Sequence, residues 1–346
     1  MPAARHLLTH FTDLIDLAAE RTGGRALLAS DEFFAEKENL LKPGRGVFVE
    51  GRYTDRGKWM DGWESRRKRT PGNDWCIIRL GLPGIVRGVT VDTNHFKGNA
   101  PEAVSIDACD APRDETPEAL ARRSDWRTLV PRTRIEPHLE NKIEVNDPAR
   151  CTHLRLNIFP DGGVARFRAF GEVVPDWTSI LARNNAVDLA AVEHGGQPMG
   201  CSDAFFSEPR NLIMPGRSEC MGDGWETRRR RGPGYDWVVI RLGRRGVIER
   251  ILLDTNHFKG NYPDTCDIEV CDAPGATEEH LRPGATNGPS WRTLLPRTKL
   301  AAHEERIFER ELLDKNPVTH LRLNIHPDGG VSRLRVFGRP VAGADR

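Results

Sequence analysis

Long apolar runs are missing from this 346-residue chain. None approaches the roughly 18 residues of a membrane-crossing helix, so no membrane partner is expected. An excess of one charge is missing too: 51 Lys and Arg face 50 Asp and Glu, and the net +1 gives no global pull toward nucleic acid. The cysteines lack a disulfide pattern. Seven is an odd number, no C-x-x-C occurs, and Cys266 with Cys271 makes a poor redox or metal pair, so reduced thiols in the cytoplasm are expected. Metal signatures such as H-x-H or H-E-x-x-H are absent as well, and no cofactor is expected to be required. A divalent ion stays open, because oxygen-rich loops can hold Ca²⁺. A signal peptide is not expected: Asp13 and Asp16 interrupt the apolar N-terminal stretch, which reads as a mature helix.

What the chain does contain is a repeat. Asp92-Thr93-Asn94-His95-Phe96-Lys97-Gly98-Asn99 returns unchanged as Asp254-Thr255-Asn256-His257-Phe258-Lys259-Gly260-Asn261. Around it, Ser30-Asp31-Glu32-Phe33-Phe34 matches Ser202 to Phe206, Asp61-Gly62-Trp63-Glu64 matches Asp223 to Glu226, and Leu154 to Ile158 matches Leu321 to Ile325. The offset falls from 172 to 162 between Gly44 and Asp61, so the first repeat carries ten extra residues there. Two domains follow, residues 1–174 and 175–346, in line with the usual 100 to 200 residues per domain. A hydrophobic fraction of 38% and a mean hydropathy of −0.54 suit sizeable soluble cores.

The local patterns are those of strands. Trp75 to Leu80 and Trp237 to Leu242 are β-rich runs closed by Gly81 and Gly243. Val104, Ile106 and Ala108 alternate with polar residues, as do Cys266, Ile268 and Val270, the period of two of a half-buried strand. Asp161-Gly162-Gly163 and Asp328-Gly329-Gly330 predict hairpins closing each repeat, and Ile15 to Arg21 and Val187 to His194 predict short helices. Short strands without regular strand–helix alternation predict an all-β chain of two antiparallel sandwiches. Trp63, Trp225, Trp75 and Trp237 read as packing aromatics, and His153 and His320 as structural. The runs Arg66 to Arg69 and Arg228 to Arg231 read as ligand anchors, ion pairs or solvated faces rather than a nucleic-acid site.

With both D-G-W-E-[ST]-R-R and D-T-N-H-F-K-G-N motifs, followed by W-R-T-L, L-R-L-N-I and P-D-G-G-V, nearly the whole chain resembles the allantoicase (allantoate amidinohydrolase) family. The resemblance implies two tandem jelly-roll domains of the galactose-binding or discoidin type with a few short helices. It also implies a homo-oligomer and hydrolysis of allantoate to ureidoglycolate and urea in purine (ureide) catabolism.

Allantoate is a small carboxylate carrying two ureido groups on one carbon. Lys97, Lys259, Arg66 and Arg228 are candidate carboxylate anchors. Asn94, Asn99, Asn256 and Asn261 can pair with both the N–H and C=O of a ureido group. His95 and His257 are candidate general acids or bases, with Glu64, Glu226, Asp92 or Asp254 as base or orienting partner. A structural reading stands beside each: Asp-Gly favours turns, and the glycine of each K-G-N suits a fold-defining loop. The competing function is a tandem β-sandwich module that binds a carbohydrate or small carboxylate without reacting it. The second copy is favoured slightly over the first for its Tyr235 and Tyr262, where the first has Asn73 and Ala100.

Overall fold

The computed structural model describes residues 5–6, 10–184 and 186–341. The chain divides into a unit of His10–Val174 and a second unit from Pro175 onward, which also takes in the strand Arg5–His6. Each is a jelly-roll built on one 19-residue strand, Asp74–Asp92 in the first and Asp236–Asp254 in the second. The N-terminal half of Asp74–Asp92 lies between Arg25–Ala29 and Cys151–Phe159, and that sheet continues through Ala103–Cys109 to Arg127–Arg134. Its C-terminal half lies between Glu140–Glu144 and Arg166–Val173, with Ile15–Asp16 at the edge. All pairings are antiparallel, and the second unit repeats them around Asp236–Asp254. Among the described residues, α-helices are confined to Pro117–Arg122, Trp177–Arg183 and Glu278–Leu281, none long and apolar enough to cross a membrane.

Four local expectations are corrected. Gly81 and Gly243 do not end the β-rich runs, which continue through them. A Cβ on Gly81 would sit 2.6 Å from the Thr22 carbonyl oxygen and one on Gly243 1.9 Å from that of His194, so these glycines admit a crossing backbone. The closing hairpins do not form either. Cys151–Phe159 and Arg166–Val173 pair with opposite halves of the long strand, so Asp161-Gly162-Gly163 carries the chain from one layer to the other. Nor are Ile15 to Arg21 and Val187 to His194 helical. Each is a two-residue strand followed by a 3-10 turn, because the Asp16 and Asp188 carboxylates accept N–H groups at 2.8–3.1 Å both locally and from the facing strand. Of the N-terminal stretch expected to be helical, residues 1–4 and 7–9 lie outside the described residues, and Phe11–Asp13 is a single 3-10 turn.

The alternating runs do point inward as their period requires: Val104, Ile106 and Ala108, like Cys266, Ile268 and Val270, are fully buried. Trp63 and Trp225 are buried completely and Trp237 nearly so. His153 and His320 are buried on the central strands, each ring Nδ1 2.9 Å from the neighbouring Thr152 or Thr319 hydroxyl. Burial, reinforced by nearby arginines, pushes both imidazoles down to about 4. The native fold therefore holds them neutral, while an unfolded chain takes up a proton near pH 6.5. Stability is full above pH 6.5 and is lost as the pH falls toward 4, by on the order of 2 kcal/mol per histidine at pH 5. Denaturation midpoints measured between pH 7 and 5 should show that decline. The double variant His153→Gln, His320→Gln should flatten it, and an unchanged slope would reject the account.

Candidate active site

The twin loop begins where the long strand ends. In the second unit the Asp254 carboxylate accepts the Asn256 N–H at 2.8 Å and is paired with Arg217, while the Thr255 hydroxyl donates to the Ala301 carbonyl at 2.8 Å. Phe258 then plunges into the core, fully buried. A Cβ on Gly224 would lie 2.9 Å from its ring and one on Gly330 only 2.0 Å, so the glycines of D-G-W-E and P-D-G-G-V are where that ring is seated. The Gly330 N–H donates to the Asn261 carbonyl at 2.8 Å, and Trp225–Glu226 pairs with Gly330–Val331. The Trp225 indole N–H reaches the Asp203 carbonyl at 2.9 Å, which brings in the S-D-x-F-F segment. Motifs dispersed over the repeat thus meet at one end of the sandwich.

That convergence makes a cavity of about 440 Å³ lined by Phe206, Glu226, Arg229, Asn261, Tyr262 and Asp328, among others. The Asn261 side-chain amide donates to Glu226. In the first unit the Asn99 amide donates to Glu64 at 2.7 Å; burial raises the Glu64 carboxyl above its ordinary range, against the pull of that hydrogen bond. Arg229 is exposed; the sequence marks it only as part of the Arg228 to Arg231 run, and Tyr262 only as a phenol that favours the second copy, and singles out neither as a substrate-binding residue. The available signal was their adjacency to the D-G-W-E and K-G-N motifs.

Other candidates are placed differently. His257 Nε2 lies 2.9 Å from the Ser218 carbonyl, which can only accept, so this nitrogen carries the proton. Asn256 donates to the same Ser218 at 3.3 Å. Asp254, Asn256, His257, Lys259 and Arg228 are not among the residues lining the cavity. Arg228 is tied to the Asp203 carboxylate at 3.2 Å and stacks over Phe205; Arg66 does the same with Asp31 and Phe33. In the first unit Asp92 is paired with Arg45 at 3.1 Å, and Asn94 donates to the Gly46 carbonyl at 3.0 Å. The His95 ring stacks on Phe48, and burial, then His138 and Arg45, lower its pKa against the opposing effect of Asp92. Lys97 lines a separate cavity with Arg132 and Arg134. The D-G aspartates are more than turn residues: Asp61 and Asp223 hold the buried Arg166 and Arg333 at 2.7 and 2.8 Å. Within the basic runs, Lys68 and Arg230 are ion-paired with Asp74 and Asp236. Among the described residues, no three His, Cys, Asp or Glu side chains gather as a metal site.

The two copies are inequivalent. In the first, Ala100 stands where the second has Tyr262, and it packs on the cluster of Met60, Phe96 and Ala165. The ten-residue insertion folds there as a hairpin, Tyr53–Thr54 with Gly57–Lys58, whose Arg56 donates to the Phe33 carbonyl at 2.9 Å and stacks on the Phe33 ring. A Cβ on Gly57 would lie 3.7 Å from Phe34, so the insertion packs over this phenylalanine, whereas its counterpart Phe206 is 60% exposed at the open cavity.

A family model described as the allantoicase repeat matches residues 15–174 and again 187–341. The chain is 49% identical to "Probable allantoicase 2" of Burkholderia pseudomallei, with 94% of each chain covered. It is 46% identical to "Probable allantoicase" of Pseudomonas aeruginosa, covering 95% of this chain and 97% of that one. The crystal structure of allantoicase from Saccharomyces cerevisiae superposes with a TM-score of 0.75 at 34% identity, over 94% of this chain and 92% of that one. Matched by its family model in both repeats and by these relatives over almost its full length, the chain belongs to the allantoicase family.

Proposed function

We propose that the family reaction, hydrolysis of allantoate to ureidoglycolate and urea in allantoin and purine catabolism, takes place in this protein at the cavity of the second repeat. The observation that carries this reading is the meeting of a carboxyl, an amide, a guanidinium and a phenol around one cavity, in Glu226, Asn261, Arg229 and Tyr262.

Their chemistry divides the substrate among them. Arg229 presents a planar fork to the carboxylate. Asn261 spends its N–H on Glu226, which leaves its carbonyl oxygen to accept from a ureido N–H, and the Tyr262 hydroxyl can serve the other ureido group. Breaking one C–N bond requires a proton on the departing nitrogen and a water oxygen on the central carbon. Glu226 in its acid form donates that proton, and its carboxylate then accepts one from the attacking water, so urea leaves and the hydroxyl of ureidoglycolate remains. His257, with its ring bonded to Ser218, holds the loop in this scheme and does not transfer the proton. No cofactor is required. The same proposal has a homo-oligomer in the cytoplasm, without nucleic-acid or membrane partners. The homo-oligomer rests on the family resemblance, and the absence of a disulfide among the seven cysteines agrees with a reducing compartment.

Incubation of chelator-dialysed protein with allantoate should release urea and ureidoglycolate. Arg229→Met should raise KM about tenfold or more, the loss of a charge-assisted pair of roughly 1.5–3 kcal/mol, while Arg67→Met leaves KM near the wild-type value. No urea from the wild-type protein, or equal effects of the two variants, would overturn the assignment.

A further inference from the structure

The four non-glycine residues with positive φ among the described residues are all histidines: His95 at 67°, His138 at 56°, His257 at 69° and His303 at 53°. Left-handed backbone disfavours any residue with a Cβ, so it persists where the surroundings enforce it. Here the surroundings are the histidines themselves. The His257 N–H donates to His303 Nδ1 at 2.8 Å, and the His303 N–H donates back to the Phe258 carbonyl at 3.2 Å. The first unit repeats the exchange between His95 and His138 at 2.9 Å and between His138 and Phe96 at 3.2 Å. Flanking bonds reinforce the clasp: the Thr255 N–H donates to the Glu304 carbonyl at 2.9 Å, and the Glu304 N–H to the Thr255 hydroxyl at 3.0 Å.

We propose that His303 is a positioning residue: its unprotonated Nδ1 clasps the loop at His257 and so sets where Asn261 and Tyr262 stand in the cavity. The inference rests on the reading of that cavity as the active site. An accepting Nδ1 fixes the His303 tautomer with its proton on Nε2. Loop residues 256–262 leave the clasp, seat Phe258 in the core and deliver Asn261 to Glu226, so a shift at His257 is passed directly to the amide that faces substrate. His138 makes the same clasp in the first unit, where the loop leads to Ala100 instead of a phenol.

His303 is on the surface, and its replacement removes little core. His303→Ala should lower kcat/KM for allantoate at least tenfold with little change in the denaturation midpoint. His303→Asn restores it to within about threefold, since asparagine tolerates left-handed backbone and offers an acceptor at similar reach. His138→Ala should change kcat/KM less than twofold. Two spectroscopic readouts stand apart from activity. In ¹⁵N-histidine-labelled wild-type protein, His303 Nδ1 should be unprotonated; the Asn261 side-chain amide signal should move in His303→Ala and return in His303→Asn. A protonated Nδ1, an unmoved Asn261 signal, or an Ala variant as active as an active wild type overturns the proposal. If the wild type releases no urea, the reading of the cavity fails, while the tautomer and the Asn261 signal still decide the clasp.

Discussion

Glu226→Gln is expected to lower turnover of allantoate by roughly a hundred- to ten-thousandfold, the usual range for losing a positioned general acid–base group. Glutamine keeps the shape of the side chain and its carbonyl oxygen still accepts the Asn261 amide, so the loop and cavity persist while the proton is gone. The parallel variant Glu64→Gln supplies the control. Glu64 holds Asn99 in the same way, but its copy has Ala100 in place of Tyr262 and the insertion packed over Phe34. Steady-state urea release from both variants is the measurement. Turnover in Glu226→Gln within threefold of wild type would remove this carboxyl from the reaction, and a larger loss in Glu64→Gln would move the active site to the first repeat.

Phe258→Ala should be the most damaging single truncation near the site. Its ring is fully buried against Gly224 and Gly330, and deleting a buried phenylalanine side chain costs about 3–5 kcal/mol because the cavity collapses only in part. Seating glycines make collapse harder, having no side chains to move into the space. Activity should fall with stability, since the ring anchors the segment that carries Asn261 and Tyr262. Phe96→Ala should destabilise the first unit comparably and leave the kcat/KM of the remaining folded protein near wild type. Denaturant unfolding with probes in each unit, beside allantoate kinetics, tests both halves; a loss below about 1 kcal/mol would show that the loop does not depend on its anchor.

Much of this was legible in the sequence. Period-two alternation correctly oriented Val104, Ile106 and Ala108, and the duplicated motifs do gather at one end of each sandwich. The shared strand was hidden because Gly81 and Gly243 carry the same local signal whether a chain stops or another backbone crosses it. Neighbouring arginines were ambiguous for a related reason. Arg228 turns to Asp203 and Phe205 while its neighbour Arg229 lines the cavity, and composition does not say which is which. His303 lies 46 residues from the loop it clasps. Its one sequence trace is that it stands at the same offset from His138, 165, as the W-R-T-L motifs do from each other.

The strand common to both layers also constrains how a repeat comes apart. Asp74–Asp92 supplies an interior strand to each layer, so neither can melt while the other stays whole, and partners such as Arg25–Ala29 and Arg166–Val173 must be recruited from distant parts of the chain. Such non-local pairing makes assembly slow and all-or-none within a repeat. A lesion in one layer is therefore felt at the loops of both, and the chemistry at one end of the sandwich depends on the cooperativity of the whole unit.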